Sequence, residues 1–288
     1  SSMPEVVLTI GGSDSGGGAG IQADIKTFSV LGLHGTCAIT AVTAQNTLGV
    51  QKVFGLQPVA VSVQLQSITD DFCVTFAKTG MLYSPEIVKV VSDHLREEAI
   101  PFVLDPVIEA EAGGRLLRPE AVRALKEMLI PLARVVTPNI FEAKALTGIH
   151  VNDIASAKNA ARKIAEMGAE AVVVKGGHLD CTDLLLEDEE VHLLKGHRVK
   201  GGNHGVGCTY SAALTSFLAL GCSLEEAALR AKNFAAESIS RSMDVGRGVA
   251  PVNQSGKLRE DAERFRALSN VHRIQPPCGK EETGGHSL

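Results

Sequence analysis

The chain lacks the features of several protein classes. Of its 288 residues, 28 are Lys or Arg and 33 are Asp or Glu, for a formal net charge of −5. The strongly basic balance of a nucleic-acid binder is therefore missing. No apolar run reaches the roughly 18 residues of a membrane span, and the start carries no charged n-region followed by an apolar h-region. These absences predict a cytoplasmic protein with neither nucleic acid nor membrane as partner. Ser1-Ser2 ahead of Met3 reads as an expression remnant. The six cysteines and nine histidines show no CxxC and no zinc-ligand spacing, which argues against a structural metal site and for reduced thiols. No internal repeat is visible.

What is present is a hydrophobic fraction of 44%, ample for the core of one large α/β domain. Short apolar runs at residues 6–10, 37–42, 76–79, 102–104, 135–136 and 171–174 read as buried strands. Between them, Ile21/Ile25/Phe28, Ile87/Val90/Val91/Leu95, Val122/Leu125/Leu129 and Ala161/Ile164/Ala165 repeat at helical spacing. Residues 182–186 and 191–194 flank the acidic turn Glu187-Asp188-Glu189-Glu190 and predict an antiparallel hairpin. Tyr210, Leu214, Phe217 and Leu218 mark a long helix from about Gly207 to Gly221. The domain is expected to span residues 3–253. From residue 254 the pattern degrades into a flexible tail with Pro276-Pro277 and Gly284-Gly285. Four strand exits carry polar or glycine residues: Gly-Gly-Ser-Asp, Asp105-Pro106, Thr137-Pro138-Asn139 and Lys175-Gly176-Gly177. In open parallel sheets that edge is where ligands bind.

The first exit, GGSDSGGGAG at residues 11–20, invites a phosphate-loop reading. Gly12 to Gly17 has the Walker spacing, yet Gly18 and Ala19 follow where Lys and Ser or Thr are required. Gly18-x-Gly20-x-x-Ala23 fits a dinucleotide fingerprint, but no acid occurs between Asp24 and Asp70 to meet a ribose about 20 residues on. Asp14 within the loop and Asp24 beyond it point instead to a neutral or cationic polar ligand; the alternative for Asp24 is an acid favoured near a helix N-terminus. A better anion site is NHGVGCT at residues 203–209, where a glycine pair opens a helix whose free N–H groups favour negative charge. Cys208, in the first turn of that helix, is expected to have a lowered pKa and to act as base or nucleophile.

VLTIGGSDSGGGAGIQADIKTFSVLGLHG, then ITAVTAQNTLGV, KTGML, VLDPV, TPNIFEAKAL, VVVKGGH and NHGVGCTYSAAL, resemble in order the hydroxymethylpyrimidine and phosphomethylpyrimidine kinases of thiamin biosynthesis, in the ribokinase-like superfamily. The resemblance runs from about Val6 to Pro251. It implies an α/β three-layer sandwich with a mainly parallel sheet of eight to nine strands and helices on both faces, and a homodimer. It also implies a reaction in which ATP phosphorylates an aminopyrimidine's hydroxymethyl group and then the resulting monophosphate. Gly12, Asp24, Gln45, Met81 and Val107 would enclose the pyrimidine, with Asp24 and Gln45 offering complementary acceptors and donors. Asn139, Glu142, Lys175 and Lys232 would meet ATP, and Asp105 with Glu142 would hold magnesium, partly through water. Gly205, Val206, Gly207 and Cys208 would form the catalytic turn, with Cys208 in the place where most of the superfamily has an aspartate base.

Two positions depart from the family pattern. Val206 replaces the threonine of Gly-Thr-Gly-Cys, and the flap, commonly near VMVAKSG, reads Val107-Ile108-Glu109-Ala110-Glu111-Ala112-Gly113-Gly114. Losing a lysine and gaining two acids there predicts a weaker hold on ATP or on the monophosphate. Residues 258–265 resemble the linker to a thiamin-phosphate synthase domain fused to some members, which implies a truncated chain. The alternatives to a pyrimidine kinase are a pyridoxal or pyridoxine kinase and a non-catalytic pyrimidine sensor on the same scaffold. Gln45 favours the pyrimidine.

Overall fold

The computed structural model describes residues 3–110, 114–177, 179–256, 258 and 261–264. Glu111 of the flap and the proline and glycine pairs of the tail lie outside them. The chain divides into a large unit ending at Ser255 and a second beginning at Gly256. In the second, residues 261–264 are helical.

The large unit is built on one nine-stranded sheet, order β3-β2-β1-β4-β5-β6-β7-β8-β9. Its strands are β1 (Val6–Asp14), β2 (His34–Asn46), β3 (Gly49–Gly55), β4 (Val74–Thr79), β5 (Phe102–Leu104), β6 (Val135–Val136), β7 (Ala171–Val174), β8 (Asp183–Glu187) and β9 (Glu190–Leu194). β2-β1-β4-β5-β6-β7 are parallel, whereas β3 and the β8–β9 hairpin pair antiparallel. The strand order reverses direction between β1 and β4, so the crevice beyond their carboxyl ends is the topological switch point at which such sheets bind ligands.

Alternation along the strands creates two cores. Leu8, Ile10, Ala77, Phe102, Leu104, Val172 and Val174 face one cluster. It is covered by α2 (Pro58–Asp71), α3 (Pro85–Glu97), α4 (Pro119–Ala124), α5 (Ile140–Thr147) and α6 (Ile154–Glu166). Val7, Phe76, Val103, Ala171 and Val173 face the other, beneath α1 (Gly20–Val30), α7 (Val206–Ala219) and α8 (Leu224–Ser240). Burial on both faces accounts for strands that read as continuous apolar runs.

The structure adds elements that periodicity did not mark. Residues 59–65 read V-A-V-S-V-Q-L, a two-residue alternation, yet Pro58 opens a helix through Asp71 that buries only Val61 and Leu65. β3 is an edge strand with most residues partly or fully exposed. α8 buries mostly small residues, Ala227, Ala228, Ala231 and Ala235, with Leu224 at its start as the large one. The helix expected around Val122, Leu125 and Leu129 breaks up, passing from α4 into a π turn over Leu125–Leu129 and a 3-10 turn containing Pro131.

Candidate active site

The carboxyl edge of the parallel strands and the start of α7 enclose a cavity of about 830 Å³, counting its mouth. Its walls bring together Gly12, Asp24, Gln45, Met81 and Val107 on one side. On the other stand Asp105, Asn139, Glu142, Lys175, Gly205, Gly207 and Cys208. Val206 and Lys232 are not among the lining residues.

Beneath the first side lies a group that sequence reading missed. Lys78, fully buried in β4, places Nζ 2.8 Å from Asp24 Oδ1, and Thr9 donates to Asp24 Oδ2 at 2.6 Å. Burial raises the Asp24 carboxyl above its usual pKa, against the pull of Lys78 and Thr9. Burial would lower the Lys78 ammonium, but Asp24, Cys208 and Asp105 together hold it above the usual lysine value. Gln45 is oriented by Thr43, whose hydroxyl donates to Oε1 at 3.0 Å. Gly12 lies against the Met81 thioether. A lysine inside an otherwise apolar strand was the available signal for Lys78, since such a charge needs a buried partner.

The glycine-rich loop is organised from within. Asp14 accepts N–H bonds from Gly16 at 2.8 Å, Gly18 at 3.0 Å and Ala19 at 2.8 Å, and His204 Nε2 lies 3.2 Å from its Oδ2. Burial opposes the Asp14 charge, but His204 and the loop N–H groups outweigh it and hold the carboxyl below its usual pKa. Asp14 thus anchors the loop from within, and it also borders the cavity. The loop also packs directly on the turn at Gly205. Gly205 has φ 83°, and a Cβ there would strike the Gly18 carbonyl, so the turn requires glycine.

That turn carries the start of α7. Its N-cap, Gly205, has no side chain to cap the helix, and the Val206 N–H is taken by Asn203 O at 3.0 Å. Val206 itself packs against the core cluster under α7, so its N–H and side chain both serve the fold. Gly207 and Cys208 continue the first turn, where N–H groups lack intrahelical partners. The expected acidified thiol is corrected by the structure: burial first, then Asp24 and Asp105, push Cys208 up to about 12 despite Lys78 and the Gly20 N–H. The opposing carboxylates are distant in sequence, which is why the helix-terminus argument missed them.

Elsewhere on the cavity wall, Asn139 and Glu142 form a capping box at the start of α5: each side chain accepts the other's backbone N–H, at 2.8 and 2.9 Å. Their reciprocal bonds fix the TPNxxE segment to the cavity wall. Lys175 follows β7, its Nζ 5.6 Å from the centroid of the Tyr210 ring. Lys232 is bound 3.1 Å from Asp183 Oδ1, and the same oxygen accepts the Gly176 N–H at 2.9 Å. Lys232 therefore reaches the Lys175-Gly176 segment through Asp183. Ser211 donates to Asp105 Oδ2 at 3.0 Å, while the buried Thr137 hydroxyl has no partner among the described residues.

A family model described as phosphomethylpyrimidine kinase matches residues 14–253. The hydroxymethylpyrimidine/phosphomethylpyrimidine kinase of Haemophilus influenzae is 47% identical over 258 residues, which cover 86% of this chain and 95% of that protein. The thiamine biosynthesis bifunctional protein ThiED of Geobacter sulfurreducens is 45% identical over 252 residues; these cover 86% of this chain and 51% of that protein, so the chain spans about half its length. The pyridoxal kinase of Bacillus subtilis, solved as an ADP complex, matches with a TM-score of 0.82 and 37% identity over 89% of this chain and 99% of that one.

Proposed function

Since the chain belongs to the phosphomethylpyrimidine kinase family, we propose that its cavity transfers phosphoryl groups from ATP to an aminopyrimidine alcohol and then to the monophosphate formed. The enzyme is a phosphotransferase of thiamin biosynthesis. The observation that carries the assignment of parts is that Asp24, Gln45 and Met81 share one cavity with Gly205, Gly207 and Cys208. An acceptor hydroxyl and a transferring phosphoryl group can therefore meet without a domain movement.

Asp24 accepts from the pyrimidine's amine, Gln45 donates to its ring nitrogen, and Met81 packs on its face beside Gly12 and Val107. The N–H groups of Gly207 and Cys208 in the first turn of α7 neutralise charge on the phosphoryl oxygens, where catalysis is mainly positioning and electrostatics. Lys175 and Asn139 meet the phosphates, and Cys208 takes the proton of the attacking hydroxyl. The oxygen donors Asp105 and Glu142 fit magnesium, a hard cation that is held by one or two carboxylates with phosphates and water. When bound, magnesium neutralises phosphate charge.

No helix among the described residues is long and apolar enough to cross a membrane. Val42 and its cross-strand partner Phe54 are exposed on the β2–β3 ribbon, an apolar pair suited to the interface of a homodimer. Light scattering that reads a monomer would remove the dimer.

Mass spectrometry of products, with the pyrimidine alcohol, its monophosphate and pyridoxal offered in parallel with ATP, tests the reading. Both pyrimidines are expected to gain one phosphoryl group, and Cys208→Ala is expected to lower turnover at least about 100-fold. Pyridoxal is included because a solved relative is a pyridoxal kinase; reaction of pyridoxal alone would overturn the acceptor assignment. Binding without turnover would favour a sensor.

A further inference from the structure

Ser13, half-buried between Gly12 and Asp14, borders the cavity. Its backbone pairs with Val42 of β2 and bridges Gly20 at the start of α1, so the residue is held from both sides. Gln22, on α1 and outside the cavity wall, accepts the Asp14 N–H on Oε1 at 2.9 Å and donates from Nε2 to Ser13 Oγ at 2.7 Å. The first bond fixes the sense of the second: a turned amide would set Nε2 against the Asp14 N–H, donor against donor. A serine hydroxyl has one hydrogen and two lone pairs. Gln22 takes a lone pair, and the hydrogen finds no acceptor among the described residues. The carboxylates on the same wall are already engaged. Asp14 accepts from the loop N–H groups, and Asp24 accepts from Thr9 and Lys78.

We propose that Ser13 is a substrate-binding residue that sets specificity: its hydroxyl donates to the pyrimidine ring nitrogen remote from the amine. The proposal rests on the kinase reading for the identity of the acceptor, in which Asp24 takes the amine and Gln45 the ring nitrogen beside it. Thr43 ties the two donors to one wall. Its hydroxyl lies 2.9 Å from the Ser13 carbonyl and 3.0 Å from Gln45 Oε1. The two ring nitrogens of a pyrimidine flank one carbon, so a ring seated on that wall meets both donors together. A pyridine has one ring nitrogen and leaves one donor unmet. A polar group closed into a site without its partner costs affinity, so the pair of donors selects the two-nitrogen ring.

The test is calorimetric binding to the full chain, its Ser13→Ala variant and its Gln22→Glu variant. Three ligands are compared: the aminopyrimidine alcohol and the two aminopyridine alcohols in which one or the other ring nitrogen is replaced by C–H. Ser13→Ala is expected to bind the pyrimidine about five- to tenfold more weakly than the parent chain, and to show the same loss on the analogue that keeps the remote nitrogen. On the analogue that lacks the remote nitrogen, the two chains should agree within about twofold. Gln22→Glu keeps an acceptor for the Asp14 N–H but sets a second oxygen in place of Nε2. The Ser13 hydrogen then turns to that oxygen, and pyrimidine binding should weaken about as much as in Ser13→Ala.

An unchanged pyrimidine affinity in Ser13→Ala would overturn the proposal. So would an equal loss on the analogue without the remote nitrogen, because a general loosening of the wall does not distinguish one ring atom from another. If Gln22→Glu fails to fold, the ligand comparison on Ser13→Ala decides alone. Binding needs no turnover, so a parent chain that shows the Ser13 pattern but forms no product would sink the kinase reading and keep the donor. Product formation with an unchanged affinity in Ser13→Ala would do the reverse, and a parent chain that binds none of the three ligands would overturn both.

Discussion

Two glycine-rich segments touch at this cavity and treat their backbones in opposite ways. In residues 11–20 the N–H groups of Gly16, Gly18 and Ala19 turn inward onto Asp14. In residues 203–208 the Val206 N–H is taken by the Asn203 carbonyl and no side chain caps α7. Glycine content alone therefore does not identify a phosphate cradle. What matters is whether the N–H groups already have an acceptor, and in the first loop a buried carboxylate with His204 beside it provides one. The two segments depend on each other all the same, because Gly18 leaves no room for a side chain at Gly205.

The comparison breaks hardest at that contact. Gly205→Ala places a Cβ onto the Gly18 carbonyl in a backbone conformation with φ 83°, displacing the first turn of α7 from the transferring group. Losing an anion-stabilising donor typically costs about 10² to 10³ in rate, so kcat is expected to fall at least about 1,000-fold when both donors and loop shift. Gly32→Ala, at φ 83° with nothing within 4 Å of the new Cβ, is the control for backbone strain alone and is expected to leave kcat within about threefold. Comparable losses in the two variants would mean that strain, not the turn's position, governs activity.

A weaker break lies in the first loop. Asp14→Ala leaves three loop N–H groups and His204 without their acceptor, and stability to urea is expected to fall by about 3 kcal/mol. The effect is pH-dependent with a definite sign. The folded-state pKa of Asp14 is depressed, so its contribution is complete above the unfolded value of about 3.9 and is lost as pH falls through the folded value. The gap between parent and variant should be constant near neutrality and close in strong acid. A gap that widens in acid would show that Asp14 does not carry its charge in the loop.

The sheet was legible because both its faces are buried: Phe102–Leu104, Val135–Val136 and Ala171–Val174 stand where their apolar runs predicted. Elements held by small or half-exposed residues, β3 and α8 among them, give no such run. The site was legible wherever chemistry sits at a strand exit, as for Asp105, Asn139 and Lys175. Lys78 lies one residue inside the exit of β4, and its role depends on Asp24 across the sheet-helix boundary, a contact of 54 residues' separation that no local pattern records. The Cys208 thiol was misjudged for the same reason. A helix N-terminus is read locally, whereas the carboxylates that oppose the thiolate come from α1 and from the residue that follows β5.

The smallest effect should come from the far end of the cavity, and it separates direct contact from contact through a neighbour. Lys232 bonds Asp183, and Asp183 in turn holds the Gly176 N–H beside Lys175. Lys232→Met removes the charge but leaves the Gly176 bond in place, so the segment that presents Lys175 loosens without losing its anchor. The pair is only partly shielded, with 15% of the Lys232 side chain exposed, and a loss of about 1 kcal/mol in ATP binding corresponds to roughly a fivefold rise in KM for ATP. KM for the pyrimidine should stay within about twofold, because Asp24 and Gln45 share no bond with this pair. Asp183→Asn should reproduce the same shift. If Lys232→Met instead raises KM for ATP at least about 100-fold while Asp183→Asn does not, the ammonium touches the nucleotide itself and the relay through Asp183 is wrong.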